Sequence, residues 1–278
     1  MTDADSYANV PLSQLPVAEK SKRAGSFGGA ASLYERYRPG PPLAAVEWFV
    51  PERVTRIVDL GAGTGALTRL LRDRADDIVA VEPDARMRAV LTEQVEGVRA
   101  VDGRGDAMPL DDHSVDAVLA SSSWHWMDVV PTLREVHRIL VPGGILGAVW
   151  SGPDPEGPFL AQARSLLAQR STDGGGEFAG RVLADADRPS STLEIPPGSG
   201  FAPPEHDVIT WDVALTADDL IGLLGTFSWI ITMPDDQRAG VLAEARRLLD
   251  ELLGVKDDVT VDVAFRAEVW RTHALTAP

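Results

Sequence analysis

The chain has 278 residues and a formal net charge of −16, with hydrophobic residues at 44% and charged residues at 24%, the profile of a water-soluble globular protein. The negative charge and the absence of any Lys/Arg run argue against nucleic acid or a membrane surface as partner, and no stretch approaches the ~20 apolar residues that span a bilayer. With no cysteine, disulfides and thiolate chemistry are excluded, and five histidines without an HxH or HxxxH pair leave no metal site in prospect.

The first residues, MTDADSYANVPLSQ, lack the basic-then-apolar order of a secretory leader, so a cytoplasmic location is expected. Residues 1–30 are Gly-rich and aperiodic and read as a flexible arm. LYERYRPGPPLAAVEWFV follows, a helical turn broken by Pro39, Pro41 and Pro42 that resumes as a helix over 43–50. From residue 54 the pattern alternates. VTRIVDL reads as a strand, 64–75 as a helix, DIVAVEP as a strand, and 84–96 as a helix capped by Asp84. VRAVD, VDAVLA, a helix in PTLREVHRIL, and ILGAVW after a PGG turn continue the rhythm. Such alternation predicts a doubly wound, mostly parallel α/β sheet whose ligands sit at the carboxyl ends of the strands.

Residues 31–151 thus form the expected binding core, and 152–205, rich in Gly and Pro, read as a lid or variable connector. Regular order returns in 206–278. HDVITWDVAL and VTVDVAFRAEVW are strands separated by helices over 217–231 and 235–253, which would complete a seven-stranded sheet with its last strand antiparallel.

VDLGAGTG, 58–65, is the most specific signal. A buried strand turns through Gly61, Gly63 and Gly65 into a helix, where backbone N–H groups are unpaired and a ligand approaches closely. Gly61, Gly63 and Ala66 also satisfy the dinucleotide pattern GxGxxG/A, with Glu82 ending the next strand where a ribose-binding acid belongs. At this point a nicotinamide-dependent oxidoreductase and a different nucleotide ligand are both open. Asp59 before the first glycine and a second acidic loop, GDAMPL, favour the latter.

With these motifs the chain resembles the class I S-adenosylmethionine-dependent methyltransferases, closely over about 30–150, and within them the group that methylates trans-aconitate and other small carboxylic acids. The resemblance implies S-adenosyl-L-methionine as cofactor. It places Asp59, Gly61, Ala62 and Gly63 at the methionine part, Glu82 at the ribose hydroxyls, Asp106 and Ala107 at the adenine, and Ser121 beside the cofactor. YERYRPGPP resembles a segment that covers the cofactor, so that Tyr34, Tyr37 or Arg38 would meet its carboxylate. A helix end packed by its own aromatics is the competing reading.

SSSWHWMD follows the fourth strand, where the resemblance puts the acceptor. His125 and Trp126 match a His-Trp pair found in that position, and Trp124, Phe227 and Trp229 become candidate pocket walls. An indole offers an apolar face and one N–H donor, suited to holding one oxygen of a carboxylate. A carboxylic acid is ionised at neutral pH and needs no base, whereas a phenol needs one, for which His125 is the candidate. The expected reaction is methyl transfer to an oxygen of a small, partly apolar molecule, a carboxylate first. Hydroxyl, phenol, carbon or nitrogen acceptors are alternatives, as is a non-catalytic cofactor-binding module. The protein is expected to act as a monomer or homodimer.

Overall fold

The computed structural model of the protein describes residues 31–171, 192–231, 233–253 and 259–276. Seven strands form one sheet: β1 (Val54–Leu60), β2 (Ala75–Val81), β3 (Arg99–Val101), β4 (Val115–Ser121), β5 (Leu140–Pro153), β6 (Glu205–Thr216) and β7 (Thr260–His273). Their order is β3-β2-β1-β4-β5-β7-β6. The first five are parallel, while β7 runs antiparallel to both β5 and β6. The order reverses between β1 and β4, and that switch point is where an open α/β sheet holds its ligand.

The helices are α1 (Ala31–Tyr37), α2 (Leu43–Phe49), α3 (Ala66–Leu71), α4 (Ala85–Gln94), α5 (Val129–Ile139), α6 (Pro158–Ser171), α7 (Ala217–Leu224), α8 (Ser228–Ile231) and α9 (Asp235–Leu253). The side-chain alternation of β5 feeds both faces of the sheet. Leu146, Ala148 and Trp150 join one core with Val118, Leu133 and Val136, and Val149 joins the other with Phe49, Ile57 and Leu119. Strands buried on both faces explain why VDAVLA and DIVAV read as unbroken apolar runs.

Local chemistry sets the element ends. Asp84 accepts N–H bonds from Arg86 and Met87 and starts α4 as the sequence predicts. The helix expected over 64–75 is shorter, because Gly65 stands at its N-cap in a left-handed conformation and β2 already begins at Ala75. The helix expected over 217–231 is two. Thr216 and Asp219 form a capping box at the start of α7, and the buried Thr226 hydroxyl donates to Leu223 O at 2.6 Å where α7 gives way to α8.

The loop after β3 is pinned to α5. Glu135 accepts the Met108 N–H at 2.7 Å, and Arg138 donates to Leu110 O at 2.8 Å and to Glu135. That anchoring positions the acidic loop beside the carboxyl ends of β1 and β4. Among the described residues no helix is long and apolar enough to cross a membrane. The expected arm over 1–30 and the residues 172–191 of the expected lid lie outside the described residues.

Candidate active site

A cavity of about 450 Å³ opens at the switch point, within the ~300–1,000 Å³ of small-molecule sites. Its floor is the glycine turn. Gly61 has φ +70° and a Cβ there would lie 2.6 Å from Ser123 Cβ, so both the backbone and the close approach of the β4 loop require glycine. Ser123 in turn donates to Leu60 O at 2.7 Å, fastening the two loops together. Gly63, at φ +56°, faces open space, and a Cβ there would have no protein atom within 4 Å.

Two buried carboxylates flank the turn. Glu82 accepts from Gly63 N–H and from Asp84 N–H, each at 2.9 Å, so one side chain ties the first ligand loop to the second. Burial pushes its carboxyl above the usual range, against those two N–H bonds. Asp59 is fully buried, and Thr68 donates to its Oδ2 at 2.5 Å. Desolvation, reinforced by the nearby Glu82 charge and opposed by Thr68, pushes Asp59 up to about 7. Asp59 borders the cavity, and its Oδ1 has no partner among the described residues. An unspent buried oxygen beside a glycine turn fits a ligand carrying a cationic donor.

Asp106 also borders the cavity, and Arg104 contacts both its oxygens, at 3.0 and 3.3 Å, which holds its carboxyl below the usual range. The Ala107 N–H is spent on Arg104 O at 3.0 Å, closing a tight turn, and Ala107 stands behind the wall. Ala62 and Ser121 are on the wall. Just past α1, Arg38 reaches the cavity and lies 5.8 Å over the Phe227 ring, while Tyr37 packs on Gly222 of α7. The side chains of Tyr34 and Trp229 lie outside the described residues.

The aromatic stretch divides. Residues Trp124–Trp126 form one 3-10 turn after β4. Trp126 lines the cavity; Trp124 is 2% exposed and sits in the core with Leu133 and Val136 rather than on the wall. Phe227 likewise stands off the cavity, packed under Arg38. His125 is a step behind the wall, because its Nδ1 accepts the Trp150 indole N–H at 3.0 Å. An indole can only donate, so Nδ1 is the acceptor and is not free to take a proton from a substrate. Among the described residues, no His, Lys or Tyr lines the cavity, and no cluster of metal-ligating side chains is present.

Several wall residues carried no signal of their own in the sequence. Ser151 follows Trp150 in β5, and its buried hydroxyl has no partner among the described residues. Ser122 adopts φ +49°, a rare conformation for a side-chain-bearing residue, at the mouth of the same cavity. Glu35 of α1 pairs with Arg69 of α3 at 2.9 Å, and both border the cavity.

A family described as methyltransferase domain matches residues 58–148, which hold the glycine turn, both buried acids and the aromatic stretch. An uncharacterized methyltransferase of Mycobacterium tuberculosis is 40% identical over 224 residues, 81% of this chain and 85% of the relative. A malonyl-[acyl-carrier protein] O-methyltransferase of Enterobacter lignolyticus is 28% identical over 160 residues, 56% of this chain and 63% of that one. Among solved structures, one from Anaeromyxobacter dehalogenans described as a type II methyltransferase shares the fold with a TM-score of 0.57 at 22% identity, covering 87% of this chain and 100% of its own. The sheet order and the cavity at its switch point agree with these relationships, and the cofactor is S-adenosylmethionine rather than a dinucleotide. The chain belongs to the class I S-adenosylmethionine-dependent methyltransferases.

Proposed function

We propose that the protein methylates an oxygen of a small, partly apolar molecule, and that this oxygen belongs to a carboxylate. The observation that carries the reading is the chemistry of the cavity wall at the ends of β4 and β5. It offers donors, the Trp126 indole and the Ser121 and Ser151 hydroxyls, beside one carboxylate, Asp128, and no imidazole, amine or phenol among the described residues. When bound, S-adenosylmethionine supplies a sulfonium methyl. The protein's own tasks are then to exclude water, to hold one acceptor oxygen, and to aim the other at that methyl. A wall richer in donors than in bases suits an acceptor that arrives as an anion, whereas a phenol near pKa ~10 needs a base, for which Asp128 is the carboxylate on this stretch of wall. The O-methyltransferase among the relatives supports oxygen as the acceptor atom.

In this reading Gly61, Ala62 and Gly63 carry the methionine part of the cofactor, with Asp59 near its ammonium. Glu82 takes the ribose hydroxyls and Asp106 the adenine. Arg38 closes the carboxylate end. Glu82→Gln removes one of the two acceptors that hold Gly63 N–H and Asp84 N–H, and is expected to weaken S-adenosylhomocysteine binding roughly tenfold by calorimetry, one charge-assisted bond of about 1.5 kcal/mol.

A panel of small carboxylic acids, phenols and alcohols, assayed with methyl-labelled cofactor, tests the acceptor class. Acids are expected to accept label. Phenols accepting it while every acid stays inert would replace the carboxylate reading with the hydroxyl one. Trp126→Phe is expected to lower kcat/KM for an accepted acid roughly 10- to 100-fold, the loss of one hydrogen bond to a charged group, with cofactor affinity retained.

A further inference from the structure

His125 touches two tryptophans that the sequence sets far apart. Trp150 Nε1 donates to its Nδ1 at 3.0 Å, and the imidazole centroid lies 4.8 Å from the ring centroid of Trp126, the planes tilted by 48°. Trp150 is 6% exposed and follows directly on Val149, the last β5 residue in register with β4. The donor is therefore fixed by the sheet. Because an indole nitrogen only donates, the neutral His125 ring carries its hydrogen on Nε2, and a flipped ring would bury the Trp150 N–H without an acceptor.

We infer that Trp150 and His125 are positioning residues, a relay that transmits the rigidity of β5 to the Trp126 indole on the cavity wall. This rests on the proposal above that Trp126 contacts the acceptor. The backbone of the turn is held by Trp126 N–H to Ser123 O and Met127 N–H to Trp124 O, both at 3.0 Å, but those bonds leave the Trp126 side-chain torsions unset. Packing against an imidazole of fixed orientation restrains them. Freezing one such side chain before the acceptor arrives is worth about 0.5–1.5 kcal/mol, up to roughly tenfold in rate. His125 then serves the reaction as a wedge whose nitrogen is spent on Trp150.

The test reads the relay directly, by NMR on nitrogen-15-labelled full-length protein without any acceptor. The parent is expected to show scalar coupling between Trp150 Nε1 and His125 Nδ1 and slow exchange of the Trp150 indole hydrogen. His125→Asn, whose side-chain carbonyl accepts the same N–H, is expected to keep that protection and the Trp126 indole resonance. His125→Leu is expected to lose the protection, to move the Trp126 resonance, and to lower kcat/KM roughly tenfold with S-adenosylhomocysteine affinity within about twofold. Absent coupling, or a Trp126 resonance unmoved in His125→Leu, would overturn the relay. Intact coupling and a shifted Trp126 resonance, in a protein that methylates phenols and no acid, would leave the relay standing and remove the carboxylate reading alone.

Discussion

Gly61→Ala is expected to abolish S-adenosylhomocysteine binding in calorimetry and to lower the thermal midpoint by several degrees. The methyl would sit 2.6 Å from Ser123 Cβ and 2.8 Å from its Oγ, where neither atom is the free end of a flexible chain. The left-handed backbone adds about 1–2 kcal/mol for any residue with a Cβ, and displacing Ser123 breaks its bond to Leu60 O, another ~1 kcal/mol. The damage does not stay local. Ser123 O accepts the Trp126 N–H, so the shift moves the aromatic wall together with the turn. A loss of roughly 3 kcal/mol in the folded state accounts for the fall in thermal midpoint, and displacing the turn together with the wall removes the surface on which the cofactor rests. Gly63→Ala is the control. Its methyl meets no protein atom within 4 Å, so only the backbone strain at φ +56° remains and its thermal midpoint is expected to fall less than that of Gly61→Ala. Gly61→Ala binding the cofactor product as the parent does would remove this turn from the cofactor site.

The same residues show what the sequence made legible. Three glycines between an apolar run and a helix have few other uses, and acids at the ends of consecutive strands fall at one sheet edge by topology alone, which brought Asp59, Glu82 and Asp106 to one cavity. The alternation of strand and helix was equally readable, since buried parallel strands leave unbroken apolar runs. Sorting the aromatics was not. In a 3-10 turn successive side chains are about 120° apart, so two tryptophans two residues apart face different ways, and nothing in SSSWHWMD says which of them meets the core. Trp124 filled the space beside Leu133 and Val136, leaving Trp126 for the cavity. The role of His125 depended on Trp150, 25 positions later, and on the β4–β5 register that brings them together. Phe227, expected as a pocket wall, stands at the break between α7 and α8 beneath Arg38 and off this cavity, a placement that depends on where the helix ends.

Asp59→Asn is expected to stabilise the apoprotein at pH 8 and to flatten its stability between about pH 4 and 7. The folded-state carboxyl sits at about 7, above its ordinary 3.8, with burial as the main cause. Below about pH 4 the group is protonated in both folded and unfolded chains and costs nothing. As pH rises the unfolded chain releases its proton first, so stability falls by up to about 1.4 kcal/mol per pH unit until the folded carboxyl ionises near 7, and stays flat beyond it. The full cost approaches about 4 kcal/mol, and asparagine keeps the shape and an oxygen for the Thr68 hydroxyl without the charge. Chemical denaturation of both proteins from pH 4 to 8 checks the sign: the gap between variant and parent should widen with pH. A buried charge that destabilises the empty protein is one that a bound cation would stabilise. The unspent Oδ1 beside the glycine turn is therefore expected to draw in the ammonium of S-adenosylhomocysteine, so that affinity rises from pH 6 to 8 in the parent and stays level in Asp59→Asn. Equal pH profiles of affinity in the two proteins would place that cation elsewhere, and Glu35, whose Oε2 is also buried without a partner among the described residues, would be the next carboxylate to test.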